Sequence, residues 1–200
     1  MNIVIDKNTD WYYISICQKL SEEFIKEFQD KVYWNYISQY QKLSEEFIKE
    51  FQDNVDWNCI SIYQKLSEEF IKEFNLSIPD NNWLYISLED KRKAILSCGL
   101  YEIDNEDNII AYKGCRNDGY SKYNFQYHYE VGNTYYSHAD YDIENENSFG
   151  LSAWTLEKAK EYCNDKIFKI KCPLVKIAAL VHNGYKLRCE EITIVEEIQE

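Results

Sequence analysis

The sequence predicts an α+β protein, with a short α-helical repeat array followed by a small mixed α+β domain. Three observations carry that expectation. The segment Trp11 to Phe28 recurs as Trp34 to Phe51 and as Trp57 to Phe74, at a spacing of 23 residues. Self-similarity at a fixed period of about 20–50 residues marks arrays of stacked supersecondary units. After Gly99 the apolar residues alternate with period two, and Gly132-Asn133 and His182-Asn183-Gly184 punctuate them as turns. The 200-residue length accommodates two such parts.

Each repeat reads as two short helices. The first begins at Trp11, Trp34 or Trp57. Asp10 and Asp56 stand where a short polar side chain caps free helical N–H groups, and Tyr33 takes that place in the second copy. The second helix follows Ser21, Ser44 or Ser67, each trailed by two glutamates that suit the positive helix end. The stretch QKLSEEFIKEF is identical in all copies. Leu20, Phe24 and Phe28 recur every four residues and Ile25 widens the stripe, giving one apolar face. Glu22, Glu23, Lys26 and Glu27 are expected to face water, with Glu22 and Lys26 as an i,i+4 pair. By the same pattern Phe47 belongs to the core and Glu45 to the solvated face.

Helices this short are marginal alone, so they must stack on neighbours. The array is expected over residues 1–97, as units 11–33, 34–56 and 57–82 and a partial unit 83–97. Trp83-Leu-Tyr-Ile-Ser87 starts that last unit, and Glu89 to Leu96 forms its closing helix.

Residues 98–200 are expected to form the α+β domain. Residues 107–113, 127–131, 134–136, 166–172, 175–181, 185–189 and 191–198 read as extended, making five or six strands. Thr155 to Cys163 reads as the one clear helix, and Tyr141 to Ser148, with its acids and asparagines, as a solvated loop.

Composition limits what the chain can do. Aromatic residues at 16% are too frequent for a disordered tail. A net charge of −13, spread over both halves, opposes the phosphate backbone and argues against nucleic-acid binding. The start MNIVIDKNTDW has no basic, apolar leader pattern, and no run of about 18 apolar residues occurs, so an intracellular protein without a membrane span is expected. The 7 cysteines lack framework spacing and read as reduced thiols.

Catalytic and metal signatures are sparse. No CxxC, HExxH, GxGxxG, P-loop or GxSxG occurs, and neither cofactor nor metal is expected. One ordering resembles the ADP-ribosyltransferase core: Tyr112 on a strand, Ser152 in a middle segment leading into a helix, and Glu190 or Glu191 late in the chain. Lys113 stands where that core carries Arg or His, and the Ser-Thr-Ser run is missing. This transferase reading makes Tyr112, Ser152, Glu190 and Glu191 the candidate catalytic residues of an enzyme alternative. The leading expectation is a non-enzymatic interaction protein whose repeats bind a protein partner. A plain structural spacer is the third reading.

The repeat Trp-x-x-Ile-Ser-x-x-Gln-Lys-Leu-Ser-Glu-Glu-Phe-Ile-Lys-Glu-Phe also resembles tandem repeats in proteins of giant DNA viruses such as mimivirus. Tyr129 to Tyr135, Phe149 to Tyr162 and Lys186 to Ile194 resemble a small domain of giant-virus and phage proteins. The resemblance implies a viral protein acting in host cytoplasm, from a family without an assigned activity.

Overall fold

The computed structural model describes residues 5–6, 8–17, 19–79 and 82–199, and the side chain of Cys17 is not among what it describes. The chain is α+β and divides into two compact units, Met1–Asp80 and Asn81–Glu200.

The first unit is an array of short helices in three pairs: α1 (Trp11–Cys17) with α2 (Glu22–Glu27), α3 (Trp34–Tyr40) with α4 (Glu45–Glu50), and α5 (Trp57–Tyr63) with α6 (Glu68–Glu73). Ser21, Ser44 and Ser67 cap the second helices, each hydroxyl accepting the N–H of the Phe three residues on. Asp10 and Asp56 cap α1 and α5 the same way, whereas Tyr33 provides no side-chain cap to α3. Ile14, Leu20, Ile25, Ile37, Leu43, Phe47, Ile48, Phe51, Ile60, Leu66 and Phe70 form one buried cluster, with Trp11, Trp34 and Trp57 packed at its edge.

Polar bonds between units complete the array. Gln41 is buried between the first and second helix pairs. Its Oε1 accepts the N–H of Leu20 at 3.0 Å and its Nε2 donates to the carbonyl of Ser15 at 3.0 Å. Gln64 repeats this one unit on: Oε1 accepts from Leu43 at 3.1 Å, and Nε2 donates to the Ser38 carbonyl at 2.8 Å. The Ser15 hydroxyl accepts the N–H of Tyr33, and Ser38 does the same for Asp56.

The charged face differs from the sequence expectation. Glu22 does not pair with Lys26; its carboxylate accepts the N–H and hydroxyl of Ser44 in the next unit. Glu45 does the same for Ser67, so it is a junction residue and not a solvated one. Lys26 pairs forward to Glu50, and Lys49 to Glu73 at 2.6 Å. Among the described residues of the array, the intrahelical i,i+4 pair forms only in the last unit, between Lys72 and Glu68 at 3.5 Å. A lysine that can reach the next unit bridges the junction, while the last one falls back on its own helix.

The expected fourth repeat is not part of the array. Residues 82–98 belong to the second unit, so the boundary lies at 80/81 and not at 97/98. Trp83 and Leu84 sit in the core of that unit, and the Trp83 N–H donates to the Tyr141 carbonyl. Trp83 to Ser87 forms turns and not a helix. The sequence around it departs from the repeat in its spacing, in the loss of the QKLSEEFIKEF segment and three residues beyond the repeated serine. Ser15, Ser38 and Ser61 are followed there by Gln18 (outside the described residues), Gln41 and Gln64, but Ser87 by Asp90. Ser87 and Asp90 instead cap a longer helix, α7 (Leu88–Cys98), which ends on Gly99 at φ 68°.

Among the described residues the second unit holds an eight-stranded antiparallel sheet: β1 (Glu102–Ile103), β2 (Asn108–Cys115), β3 (Thr134–Tyr136), β4 (Leu151–Trp154), β5 (Lys166–Pro173), β6 (Ile177–Val181), β7 (Lys186–Cys189) and β8 (Glu191–Ile198). The order is β3-β8-β5-β2-β4-β7-β6, with β1 beside β2. Three strands separate β7 from β8 in the sheet, yet Glu190 alone separates them in the chain. A flat sheet would hold them roughly 19 Å apart, at about 4.8 Å per strand. A one-residue link reaches about 7 Å at most. The sheet is therefore rolled, and its inner face packs Ile109, Ala111, Phe168, Ile170, Cys172, Leu187, Cys189 and Ile194.

Three further expectations are corrected. Residues 127–131 form no strand and contribute one isolated bridge, Tyr120 to His128. Leu151–Trp154 is a strand of its own, leading into α8 (Leu156–Tyr162). The stretch 141–148 is not simply solvated, since Tyr141 is buried and so is Asp140 just before it.

Gly114 sits where β2 passes under α8; a Cβ there would lie 2.4 Å from the carbonyl oxygens of Ala159 and Cys163. Gly114→Ala should therefore displace α8 and lower the melting temperature, whereas Gly132→Ala meets open space and pays only for its positive φ. In the array, Gln64→Leu should cost about 2–4 kcal/mol in urea unfolding, because the Leu43 N–H and the Ser38 carbonyl lose a buried partner. Glu46→Ala, on the exposed face, should stay within about 0.5 kcal/mol of the parent.

Candidate functional site

Two places concentrate chemistry: a half-buried polar cluster in the rolled sheet, and a row of exposed aromatic rings on the array.

The sheet cluster is built by strand register. Ser152 pairs with Arg188 and Trp154 with Lys186, while Trp154 also lies opposite Tyr112. Lys186 and Arg188 therefore share one face of β7, beside Ser152 and Trp154. Arg188 is fully buried and donates Nη1 to the carbonyls of Asp140 at 2.9 Å and Asp142 at 3.1 Å, and Nη2 to that of Asn145. The Asp140 carboxylate lies 3.7 Å from Nη1 and accepts the Asp142 N–H at 2.9 Å. The loop thus wraps its carbonyls around a guanidinium, which satisfies them without solvent. Lys186 donates to the Glu146 carbonyl at 2.9 Å and lies over the Trp154 ring at 5.2 Å. Burial, then the neighbouring charges of Arg188 and Lys113, pushes its ammonium down to about 8.

Lys113 stands on the opposite, inner face. It is buried, donates to the Ser152 carbonyl at 2.7 Å and lies 4.9 Å from the centre of the Tyr129 ring. Burial lowers its pKa below the ordinary lysine value. Burial also raises the nearby thiols, Cys115 to about 11 and Cys172 well above its usual range. At neutral pH these cysteines are protonated, which is the inert form of the side chain.

Glu190 occupies the β7–β8 link. Its carboxylate lies 3.7 Å from Lys176 Nζ and 4.0 Å from His138 Nδ1, and the Tyr141 hydroxyl bonds to it. Burial, then the Glu190 charge, raises the Tyr141 pKa far above that of free tyrosine. Ser137 donates its N–H to the Glu190 carbonyl, and Glu190 donates its own to Lys176. Glu190 therefore fastens segment 137–141 and the start of β6 to the strand link.

The register sets Tyr112 and Ser152 on the same face beside Trp154, whereas Glu190 and Glu191 stand at the β7–β8 link. Tyr112 lies opposite Trp154 and Lys169 in the register, and Ser152 opposite Arg188. Glu190 serves the link just described, and Glu191 opens β8 opposite Tyr136. Their contacts are those of strand pairing and loop anchoring. Sequence reasoning missed the burial of Arg188, Lys113 and Lys186, because a cation buried on an alternating strand looks the same in sequence as one facing water.

On the array, Tyr12, Tyr13 and Tyr33 are each close to half exposed, at 49%, 46% and 49%. The Tyr12 ring meets Tyr33 edge-on at 6.1 Å and Tyr36 at 5.0 Å, and Tyr36 continues to Tyr40 at 6.1 Å. The rings form one continuous patch across α1 and α3. Position by position the three first helices read WYYISIC, WNYISQY and WNCISIY. Trp, Ile and Ser are constant and inward, while the patch lies on the positions that vary.

No family model, curated protein or solved structure matches this chain. Among the described residues no helix is long and apolar enough to cross a membrane, and no group of three or more His, Cys, Asp or Glu residues is arranged to hold a metal.

The folded pKa of Lys186 lies below that of an unfolded lysine, so the unfolded chain holds the extra proton between about pH 8 and pH 10. In that window rising pH stabilises the fold through this group. Chemical denaturation of the parent and of Lys186→Met should show the parent gaining relative stability from about pH 8 upward. A constant difference across the window would contradict the assigned burial.

Proposed function

We propose that this chain is an interaction protein, with the tyrosine patch of the helical array as its recognition surface for a protein partner. The ring row Tyr12–Tyr33–Tyr36–Tyr40 carries this reading, with Tyr12 and Tyr33 exposed and Tyr36 and Tyr40 half-buried beside them. These rings stand outside the Trp/Phe/Ile core. Tyrosine presents a large, stiff, amphipathic surface at small entropic cost, and interfaces are enriched in it. Short stacked units hold the rings in fixed spacing, so a partner meets a preorganised surface. The acidic charge of the chain favours a partner surface with basic groups around an aromatic or apolar centre. The resemblance of the repeats to those of giant-virus proteins supports a viral protein working in host cytoplasm.

The test compares capture by the full chain with capture by the double variant Tyr12→Ser, Tyr33→Ser. The variant should fold with an unchanged circular dichroism spectrum and lose the partner retained by the parent, with affinity falling by at least about tenfold. Equal capture by both proteins would overturn the assignment of the patch.

A further inference from the structure

We propose that the array associates head to tail with a second copy of this chain, the end of its third unit docking on the start of the first. The two internal junctions display the charged and apolar contacts such an interface would make. At each one the lysine of the earlier unit reaches a glutamate of the later unit, as in Lys49 with Glu73 at 2.6 Å. The same lysine lies over the later unit's phenylalanines: Lys26 over Phe51 at 6.0 Å, Lys49 over Phe70 at 5.4 Å and Phe74 at 5.9 Å. The earlier unit's glutamate reaches the later unit's serine. The earlier unit's isoleucine, Ile25 or Ile48, is fully buried there.

Because QKLSEEFIKEF is identical in all units, each end of the array keeps its half of this interface. The first unit offers Ser21, Phe24, Glu27 and Phe28, the counterparts of Ser44, Phe47, Glu50 and Phe51. Phe24 and Phe28 are only partly buried, where Phe47 and Phe51 are at 5%. The last unit offers Glu68, Ile71 and Lys72, the counterparts of Glu45, Ile48 and Lys49. Ile71 is only partly buried, where Ile48 is at 0%. Lys72 and Glu68 are 77% and 85% exposed, well above the 46% of Lys49.

The two ends thus match in charge and in shape. Lys72 of one copy takes Glu27 of the next and covers its Phe24 and Phe28. Glu68 takes Ser21, and Ile71 packs under Phe24. A contact between two different faces of the same chain does not close on itself, so it builds open chains of copies and not a symmetric dimer. Solenoids that stay apart carry atypical polar end units, whereas here the first and last units keep the QKLSEEFIKEF segment unchanged.

The test is sedimentation velocity of the full chain over a concentration series. The parent should show a weight-average mass that rises with concentration. Lys72→Glu and Glu27→Lys, both at exposed positions, should each fold normally and shift association to about tenfold higher concentration. Mixing the two variants should restore association, because every altered end then meets its opposite charge. Carrying both changes in one chain should restore it too. A single monomer species at every concentration would overturn the proposal. So would association that neither single variant weakens, or that the mixture fails to rescue. None of these readouts involves the tyrosine patch, so this result and the capture experiment stand or fall separately.

Discussion

One side-chain amide at each junction holds the array together. The segments linking the paired helices, such as Gln41 to Leu43, are extended and satisfy few of their own backbone groups. Leu20 N–H and Ser15 C=O at the first junction, and Leu43 N–H and Ser38 C=O at the second, turn towards the next unit. A buried glutamine answers both at once, accepting with its oxygen and donating with its nitrogen. Glutamate would have no donor and asparagine would fall short. The hydrophobic stripe supplies most of the energy of stacking, but it is nearly indifferent to small slips. The amide fixes the register, since a displaced unit would leave buried polar groups unpaired.

Register in turn places everything else. With Gln41 and Gln64 seated, each glutamate reaches the next helix cap and each lysine the next helix end. Where the glutamine is replaced by Asp90 the stacking stops, and the chain enters a fold of another kind. The positions that carry these bonds are the same in every unit. The positions that carry the tyrosines differ from unit to unit. The array therefore separates a fixed frame from a variable outer surface, and the frame sets the spacing of the rings.

Much of this architecture was legible in the residues. The period, the serine caps, the apolar stripe and most strands follow from local patterns that depend on near neighbours alone. The fourth repeat was misread because Trp83 and Ile86 preserve the apolar signature, although the spacing from Trp57 is 26 residues and the QKLSEEFIKEF segment does not follow Ser87. The intra-helix ion pairs were misread for a related reason: spacing shows that Lys26 can reach Glu22, but not that Glu50 is nearer. In the second unit, alternation predicts strands but not their order. The roll of the sheet, which brings Glu190 to Tyr141, His138 and Lys176, emerges only when β7 and β8 are found on either side of three other strands. The same holds for Arg188, whose partners lie more than forty residues away.

Amide hydrogen exchange resolved at Leu20 and Leu43 tests the central claim most directly. Both N–H groups lie outside the helices and owe their protection to the Oε1 atoms of Gln41 and Gln64. If the glutamines hold the register, these amides exchange as slowly as those of Ile48 and Ile60 inside the helices. Exchange at the rate of exposed loop amides, with the helices still protected, would show that the units stack by their apolar faces alone.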